Sequence, residues 1–438
     1  MITRTMTTVA LAAVLAIGSH QANASDLGGN CCADLEERIA ELEATTARKG
    51  NRKVSLEVSG QVHEAIVYWD VDTPTGASEE SNVYIGTHNS SRSRFRFKGA
   101  AKINADWSAG FLMEIGVRAN HLGGNTQGSA YTVAGLDIRH EALYVKSKSL
   151  GTVWLGWTSS AADGITEICL GCGLGNGPDY ADDMGDMVDG NGDRFDRLGG
   201  RQGAFVGEGD RREVIKYISP TIAGFSVSAA YGQDDFYDAA LRYAGEFGAI
   251  RIAGGVAYQR DTTNVSQNAA LTSTGTVTFG DNNPGFISRS ACNGFMNAID
   301  CESIGASLSI QHTPTGLYVA GAYGRSEEKN DNSEDNVAWH VTAGINSKWS
   351  SLGKTNIWGM YTQADSDTGP NATAVAGNVG GDTDANTSQL RIYGVGIEQE
   401  IDAAAMRLYV WYKHFDGELN NVDSGSMDQV VAGALIKF

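Results

Sequence analysis

The chain has 438 residues, with 33 Lys and Arg residues against 52 Asp and Glu residues, which gives a formal net charge of −19. A chain this acidic repels phosphate backbones, which excludes nucleic-acid binding through a basic surface. Beyond residue 24 there is no apolar run of about 18 residues or more, which excludes transmembrane helices.

The N-terminus has the three parts of a secretory signal peptide. Arg4 supplies a positive charge, Thr8–Gly18 is a short apolar stretch, and Ala22–Ala24 forms an A-x-A cleavage site. The apolar stretch is too short for a stop-transfer helix. The sequence therefore predicts a signal peptide over residues 1–24 and an exported protein.

One helix is predicted near the start of the mature chain, over Asp34–Lys49. Asp34 can cap its N-terminus and Glu37 stands three residues later, as in a capping box. Its apolar seam has coiled-coil spacing, although two heptads are too short to associate alone. Two interpretations stay open: a trimeric coiled coil held together by a larger oligomer, or an amphipathic helix resting on its own protein. The seam consists of Leu35, Ile39, Leu42 and Thr46.

From Val54 to the C-terminus, apolar residues alternate with polar or small ones, which predicts β-strands. In Trp107–Val117, for example, the apolar side chains share one face, and Ser108, Gly110 and Glu114 share the other. A soluble β-sandwich also alternates in this way, so the pattern alone does not decide the fold.

The connections between these strands discriminate better, because long and short connections alternate along the chain. The long ones begin with Val71–Ser91, include Ser159–Asp210 and end with Gly417–Met427. Long loops at one end and short turns at the other are typical of an outer-membrane barrel. The number of strands between these connections is sixteen. It predicts the all-β class, with a 16-stranded antiparallel transmembrane β-barrel over residues 54–438. A barrel of this size is wide enough for an aqueous lumen.

Aromatic residues near the predicted strand ends suit the girdles of such a barrel. The last strand, Asp428–Phe438, ends the chain on an aromatic residue with an apolar face. The candidate girdle residues are Tyr68, Trp69, Trp107, Tyr231, Trp349, Trp411 and Tyr412.

The segment Cys31–Gly60, with CCADLEERIAELEATTARKG and the strand that follows, resembles the start of the alphaproteobacterial outer-membrane porin family. Phe438 resembles the assembly signal of outer-membrane barrels. The resemblance runs over nearly the whole mature chain and implies a homotrimeric general-diffusion porin for small hydrophilic solutes and ions. Residues 25–53 would then form a periplasmic segment, and the barrel would contact outer-membrane lipid.

A row of basic residues is the sharpest charge feature of the sequence. Four cations alternate with Phe95 and Phe97, and cations facing lipid would cost about 2–4 kcal/mol each near the midplane. We therefore expect them to line the lumen; the alternative is an ordinary solvated face. The row consists of Arg92, Arg94, Arg96 and Lys98.

The third long connection, residues 159–210, is acidic and is the expected counterpart of this row. A loop of about 50 residues without a core is unusual unless it is functional. The resemblance implies that the loop folds into the barrel and forms the constriction, where opposed charges would select solutes; the alternative places its acids on the exterior. These acids are Asp163, Glu167, Asp179, Asp182, Asp183, Asp186, Asp189, Asp193 and Asp196.

Six cysteines fall into three local pairs: Cys31 with Cys32, Cys169 with Cys172, and Cys292 with Cys301. They suit an oxidising compartment. The sequence favours small loop-stapling disulfides for the last two pairs over a redox-active CxxC site. Whether Cys31 and Cys32 join neighbouring subunits is left open.

Motifs for catalysis and cofactor binding are not found in the sequence. Asp189–Asp193 begins like a calcium loop, but Arg194 and Gly200 stand where Gly and Glu are needed. A passive diffusion pore, not an enzyme, is therefore the leading prediction. The alternatives are a more substrate-selective channel, an outer-membrane barrel enzyme and a secreted β adhesin.

Overall fold

The computed structural model describes residues 53–72, 80–88, 90–118, 120–127, 135–178, 187, 195–200, 205–232, 235–262, 300–329, 335–367 and 387–438. All of them belong to one structural unit, Lys53–Phe438. The predicted signal peptide and the predicted helix Asp34–Lys49 lie outside these residues, so both stay predictions. Within the described part of the chain, no helix is both long enough and apolar enough to cross a bilayer.

The described residues form 17 strands in one sheet. They also form short 3₁₀ segments at Leu122–Gly124, Phe195–Gly200 and Asp402–Ala404. The strands are β1 (Ser55–Asp72), β2 (Glu80–Thr87), β3 (Arg94–Lys102), β4 (Trp107–Arg118), β5 (Gly135–Ser147), β6 (Gly151–Ser159), β7 (Arg211–Ile218), β8 (Phe225–Gly232), β9 (Tyr237–Phe247), β10 (Ile250–Asp261), β11 (Cys301–His312), β12 (Leu317–Glu328), β13 (Asp335–Ser347), β14 (Thr355–Ser366), β15 (Ser388–Ile401), β16 (Met406–Leu419) and β17 (Val422–Lys437).

Neighbouring strands pair antiparallel around a closed barrel. The last strand, β17, pairs with β1, from Gln61 opposite Lys437 to Asp72 opposite Ser426. β2 and β3 both pair with β1, β2 along its second half and β3 along its first, so together they form one interrupted strand. The 17 segments therefore make a 16-stranded antiparallel barrel, which confirms the predicted fold class.

The interruption between β2 and β3 corrects the first predicted connection, Val71–Ser91. The strand β2 occupies Glu80–Thr87 of that segment, and after it the chain leaves the sheet around residues 88–93. There, side chains replace the backbone ladder: Gln61 Nε2 donates to the carbonyls of Ser91 and Arg92, at 2.5 and 3.1 Å. The Ser93 hydroxyl accepts the amide of His63 at 2.9 Å.

The last predicted connection, Gly417–Met427, is also wrong. β16 and β17 continue through most of it and are joined by Asn420 and Asn421, both with positive φ. Asparagine tolerates this backbone conformation, which a two-residue hairpin of this kind requires. The polar composition of the segment concealed the hairpin.

Alternation along each strand separates an outer apolar face from an inner face. On the outside, exposed aromatic residues lie at both ends of the strands. The end with the short turns is called the turn side and the opposite end the loop side. On the loop side these aromatic residues are Trp339, opposite Tyr323, and six tyrosines, here called the tyrosine belt: Tyr68, Tyr231, Tyr237, Tyr323, Tyr393 and Tyr412.

Two of the predicted girdle residues do not belong to a girdle. Trp69 and Trp411 are 1% and 2% exposed and point inwards, because each follows or precedes an outward tyrosine in the same strand. Successive side chains of a strand point to opposite faces, so adjacent aromatic residues cannot both reach lipid. Both tryptophans pack in a cluster with Phe195 and Leu198 of the third long connection.

The C-terminal residue is built into the seam where the barrel closes. The amide of Phe438 donates to the carbonyl of Gly60 at 3.1 Å, and the amide of Gly60 donates back at 2.9 Å. A Cβ atom at Gly60 would lie 2.5 Å from Phe438 Cζ and 2.6 Å from the Arg94 carbonyl oxygen. Gly60 therefore leaves the space that the terminal ring occupies.

We expect Gly60→Ala to destabilise the barrel by about 1–3 kcal/mol, because the added methyl group overpacks the closing seam. Thermal unfolding of purified protein in detergent measures the change. Gly359→Ala is the matched control, since a Cβ there meets no heavy atom closer than 3.9 Å. Equal unfolding temperatures for the two variants would contradict the role given to Gly60.

Candidate functional site: the charged inner wall and the third loop

The predicted basic row lies on the inner side of the barrel. Arg94, Arg96 and Lys98 share the inward face of β3, and Arg92 lies in the interruption just before it. The side chains of Arg92 and Arg94 are 11% and 15% exposed, whereas that of Arg96 is 42% exposed and Lys98 is exposed as well. The positive charge that water in the lumen reaches therefore belongs mainly to Arg96 and Lys98.

A buried carboxylate in the next strand holds the arginines together. Glu114, on the inward face of β4, is fully buried. It accepts hydrogen bonds from Arg94 Nη1 at 3.2 Å, Arg96 Nε at 2.6 Å and Arg139 Nε at 2.7 Å. Charge-assisted hydrogen bonds of this kind are stronger than neutral ones, so Glu114 fixes the positions of three guanidinium groups.

Arg139 reaches this cluster because β5 contains a β-bulge. The register between β4 and β5 shifts after Glu114, so that Glu114 pairs with His140 and Ile115 with Ile138. The extra residue lets Arg139 and His140 both face inwards, and His140 Nδ1 lies 3.1 Å from Thr158 Oγ1. A bulge often redirects side chains in this way.

The acidic partners of the basic row thus come first from the wall itself. Arg92 Nη1 pairs with Asp137 of β5 at 3.1 Å, and Glu114 binds the other arginines. The sequence predicts the counterpart only in the third loop, and Glu114, Asp137 and Arg139 are not among the predicted site residues. The available signal was Glu114, since it stands on the polar face of the strand that follows the basic row.

The described parts of the third loop pack against the inner face of the barrel. The buried residues Ala161, Ala162 and Ile165 cluster with inward side chains of β7 to β10, among them Val214 of β7. Phe236, in the connection between β8 and β9, belongs to the same cluster. The loop therefore enters the barrel, as the resemblance to porins implies.

Wall side chains anchor the middle of the loop through its backbone. The amide of Leu170 donates to Ser309 Oγ at 3.0 Å, and that of Leu174 donates to Glu398 Oε2 at 2.7 Å. Asn346 Nδ2 donates to the carbonyl of Gly171 at 3.0 Å. Cys169 and Cys172 form the predicted disulfide between these anchors.

A second buried carboxylate closes the neck of the loop. Glu208 accepts hydrogen bonds from the amides of Gly164, Ile165 and Thr166, and from the Thr166 hydroxyl. Burial, followed by the charge of Glu167, raises the pKa of the Glu208 carboxyl well above its usual range, while the Thr166 donors lower it. Glu208 thus holds the start and the end of the loop together.

Two of the predicted loop acids can be placed. Asp163 lies near Arg211, whose guanidinium also interacts electrostatically with Glu114 and Asp137. Glu167 is exposed. The side chains of the others lie outside the described part of the chain: Asp179, Asp182, Asp183, Asp186, Asp189, Asp193 and Asp196.

The remaining sequence-based sites are only partly described. Cys301 is fully buried and disulfide-bonded. Cys292, the pair Cys31 and Cys32, and the calcium-like string Asp189–Asp193 lie outside the described residues. The pairing of Cys292 with Cys301 and a calcium site therefore stay predictions.

Glu114→Gln should destabilise the barrel by about 3–5 kcal/mol, because it leaves three partly buried guanidinium groups without their common carboxylate. Chemical unfolding followed by tryptophan fluorescence measures this. Asp137→Asn is the comparison, since Asp137 is 28% exposed and water can compensate Arg92 there. If both variants lose the same stability, Glu114 is not the centre of the cluster.

Comparisons with known proteins agree with this architecture. The family model described as Gram-negative porin matches residues 7–286. OmpT of Vibrio cholerae in its trimer form covers 88% of this chain and 99% of its own, at 16% identity and a TM-score of 0.50. The anion-selective porin of Comamonas acidovorans covers 88% and 100%, at 14% identity and 0.52. The outer-membrane channel DcaP of Acinetobacter baumannii covers 89% and 99%, at 11% identity and 0.53.

No curated protein sequence matches the chain. The solved structures are too distant in sequence to establish more than the fold, whereas the family model covers well over half of the chain. The protein belongs to the Gram-negative porin family and is an outer-membrane porin, a water-filled β-barrel for passive diffusion.

Proposed function

We propose that this porin works as a homotrimer that admits small hydrophilic solutes and ions and selects them by size and charge. The observation that carries this proposal is the charged inner wall, with Glu114 fixing Arg94, Arg96 and Arg139 on the inner face of the barrel. Such a wall acts on passing solutes through its electric field, and selection of this kind needs no covalent step.

The constriction would lie between this wall and the third loop. The described loop segments pack on inner faces of β7 to β17 and of β1, so the water-filled path would run beside β3 to β5. Arg96 and Lys98 would present positive charge to that path. The loop acids, with Glu167 exposed among them, would present negative charge from the opposite side.

The outer face supports a subunit interface over β2 to β5. The tyrosine belt follows strands from β8 round to β1, but the corresponding loop-side positions of β2 and β5 are Val83, Ile85, Leu136 and Ile138. Tyrosines mark the boundary between lipid and water, so aliphatic residues at this level fit contact with protein.

Two outward carboxylates lie near the same face. Glu64 of β1 stands between Val62 and Ile66, and Glu141 of β5 is also exposed on the outside. An acidic side chain on a lipid face destabilises a barrel, whereas a neighbouring subunit can supply water or hydrogen-bond donors. OmpT of Vibrio cholerae, which has a similar fold, was solved in a trimer form.

The N-terminal segment is proposed to lie in the periplasm. β1 begins at the turn side, where Ser55 pairs with Ala100, and the short turns of outer-membrane barrels face the periplasm. Residues 25–53 would therefore emerge on that side, where the helix Asp34–Lys49 could join subunits. The alphaproteobacterial affiliation implied by Cys31–Gly60 also stays a proposal.

Replacing Arg92, Arg94 and Arg96 by glutamine should shift permeability towards cations several-fold, because it removes the positive side of the wall. The measurement is the reversal potential of the trimer in a planar bilayer under a salt gradient. The matched control replaces three other arginines by glutamine, Arg260, Arg325 and Arg391, since these lie on the outer face. An unchanged reversal potential in the inner-wall variant would refute the proposed selectivity mechanism.

Deleting residues 34–49 should weaken the trimer, because the heptad seam would no longer join the subunits, while single-channel conductance stays near that of the full chain. Native mass in detergent and trimer dissociation on heating measure the first effect, and planar-bilayer recordings measure the second. A collapse of the conductance would instead place this segment in the pore.

A further inference from the structure

An aromatic pair lies on the inner wall, on the turn side of the arginine cluster. Tyr144 of β5 and Trp154 of β6 are direct cross-strand neighbours, and their ring centroids are 4.6 Å apart. Tyr144 leans across Gly110 of β4, where a Cβ atom would lie 2.5 Å from the Tyr144 hydroxyl oxygen. Trp154 is partly exposed, so part of its ring remains accessible from the lumen.

Three exposed lysines lie on the same inner face, two in β3 and one in β5. Lys102 of β3 and Lys146 of β5 both lie opposite Ser108 of β4, one on each side of it. Lys98 lies one inward position beyond Ala100, towards the arginines. In the part of the chain that the structure describes, none of the three lysines forms an ion pair or a side-chain hydrogen bond. Glu57, across from Lys98 in β1, is the neighbouring carboxylate.

The aromatic pair is separate from the arginine cluster, although Lys98 follows Arg96 on the inward face of β3. Arg139 and Tyr144 are five residues apart along β5, which corresponds to about 17 Å of extended strand. The third-loop residues that the structure describes pack elsewhere, on inner faces from β7 onwards and on β1. The aromatic pair, Lys102 and Lys146 lie near the turn-side end of the inner face.

We propose that Trp154, Tyr144 and the three lysines form a subsite for organic anions that carry a flat apolar ring, such as aromatic carboxylates. The carboxylate would bind the ammonium groups and the Tyr144 hydroxyl, and the ring would lie on the exposed part of Trp154. An acyclic anion gains only the charge interaction, and a neutral ring gains only the stacking. This subsite rests on the proposed function, since it needs an open lumen.

The test compares benzoate with acetate as permeant anions in planar bilayers under bi-ionic conditions. Wild-type channels should favour benzoate over acetate by about two- to tenfold more than free diffusion does, as expected for one aromatic contact. Trp154→Leu should reduce this preference to the free-diffusion ratio. Lys146→Gln should lower the permeability of both anions and leave their ratio nearly unchanged.

Two matched variants control for general effects. Trp157→Leu changes a tryptophan on the outward face of the same strand, and Arg251→Gln removes a cation from the inward face of β10 near the turn side. Neither should change the benzoate preference. An unchanged preference in Trp154→Leu, or none in the wild type, would overturn the subsite.

Conductance in potassium chloride separates this inference from the proposed function. A normal chloride conductance without any benzoate preference refutes the subsite alone. A purified wild-type protein without any conductance would refute the diffusion pore itself.

Discussion

Closure of the backbone hydrogen-bond ladder is the constraint on which the rest of this structure depends. Lipid offers no partners for backbone amides and carbonyls, so β17 has to pair with β1 and leave no edge. Once the sheet is closed, the parity of a residue in its strand decides whether its side chain meets lipid or the lumen. The apolar outer band, the basic row and the inward tryptophans all follow from this single choice of parity.

The inner wall carries charged side chains that contact with water alone would not hold in one position. Arg94 and Arg139 are mostly buried, and they tolerate each other because Glu114 lies between them with both oxygens occupied. Removing one partner from such a buried cluster of charges strongly destabilises the protein, whereas the intact cluster holds its side chains in place. The wall can therefore present a fixed charge at Arg96, instead of a mobile side chain, to passing solutes.

Parity and turn spacing explain how much the sequence could predict. They were sufficient for the strand count and for the inward direction of Arg94, Arg96 and Lys98, while the closeness of Cys169 and Cys172 in the sequence was sufficient for their disulfide. They fail where residues are inserted into the ladder, as at the Arg139 bulge and at the interruption around residues 88–93. A hairpin made by Asn420 and Asn421 resembles a loop in composition. The role of Trp69 and Trp411 depends on a loop more than a hundred residues away.

The anchors of the third loop have a consequence for assembly. Leu170 binds Ser309 across 139 positions and Leu174 binds Glu398 across 224, so these contacts cannot form until most later strands are in place. Contacts between such distant residues form slowly, because a long chain must be ordered first. The third loop therefore takes up its position inside the barrel only as the last quarter of the strands joins.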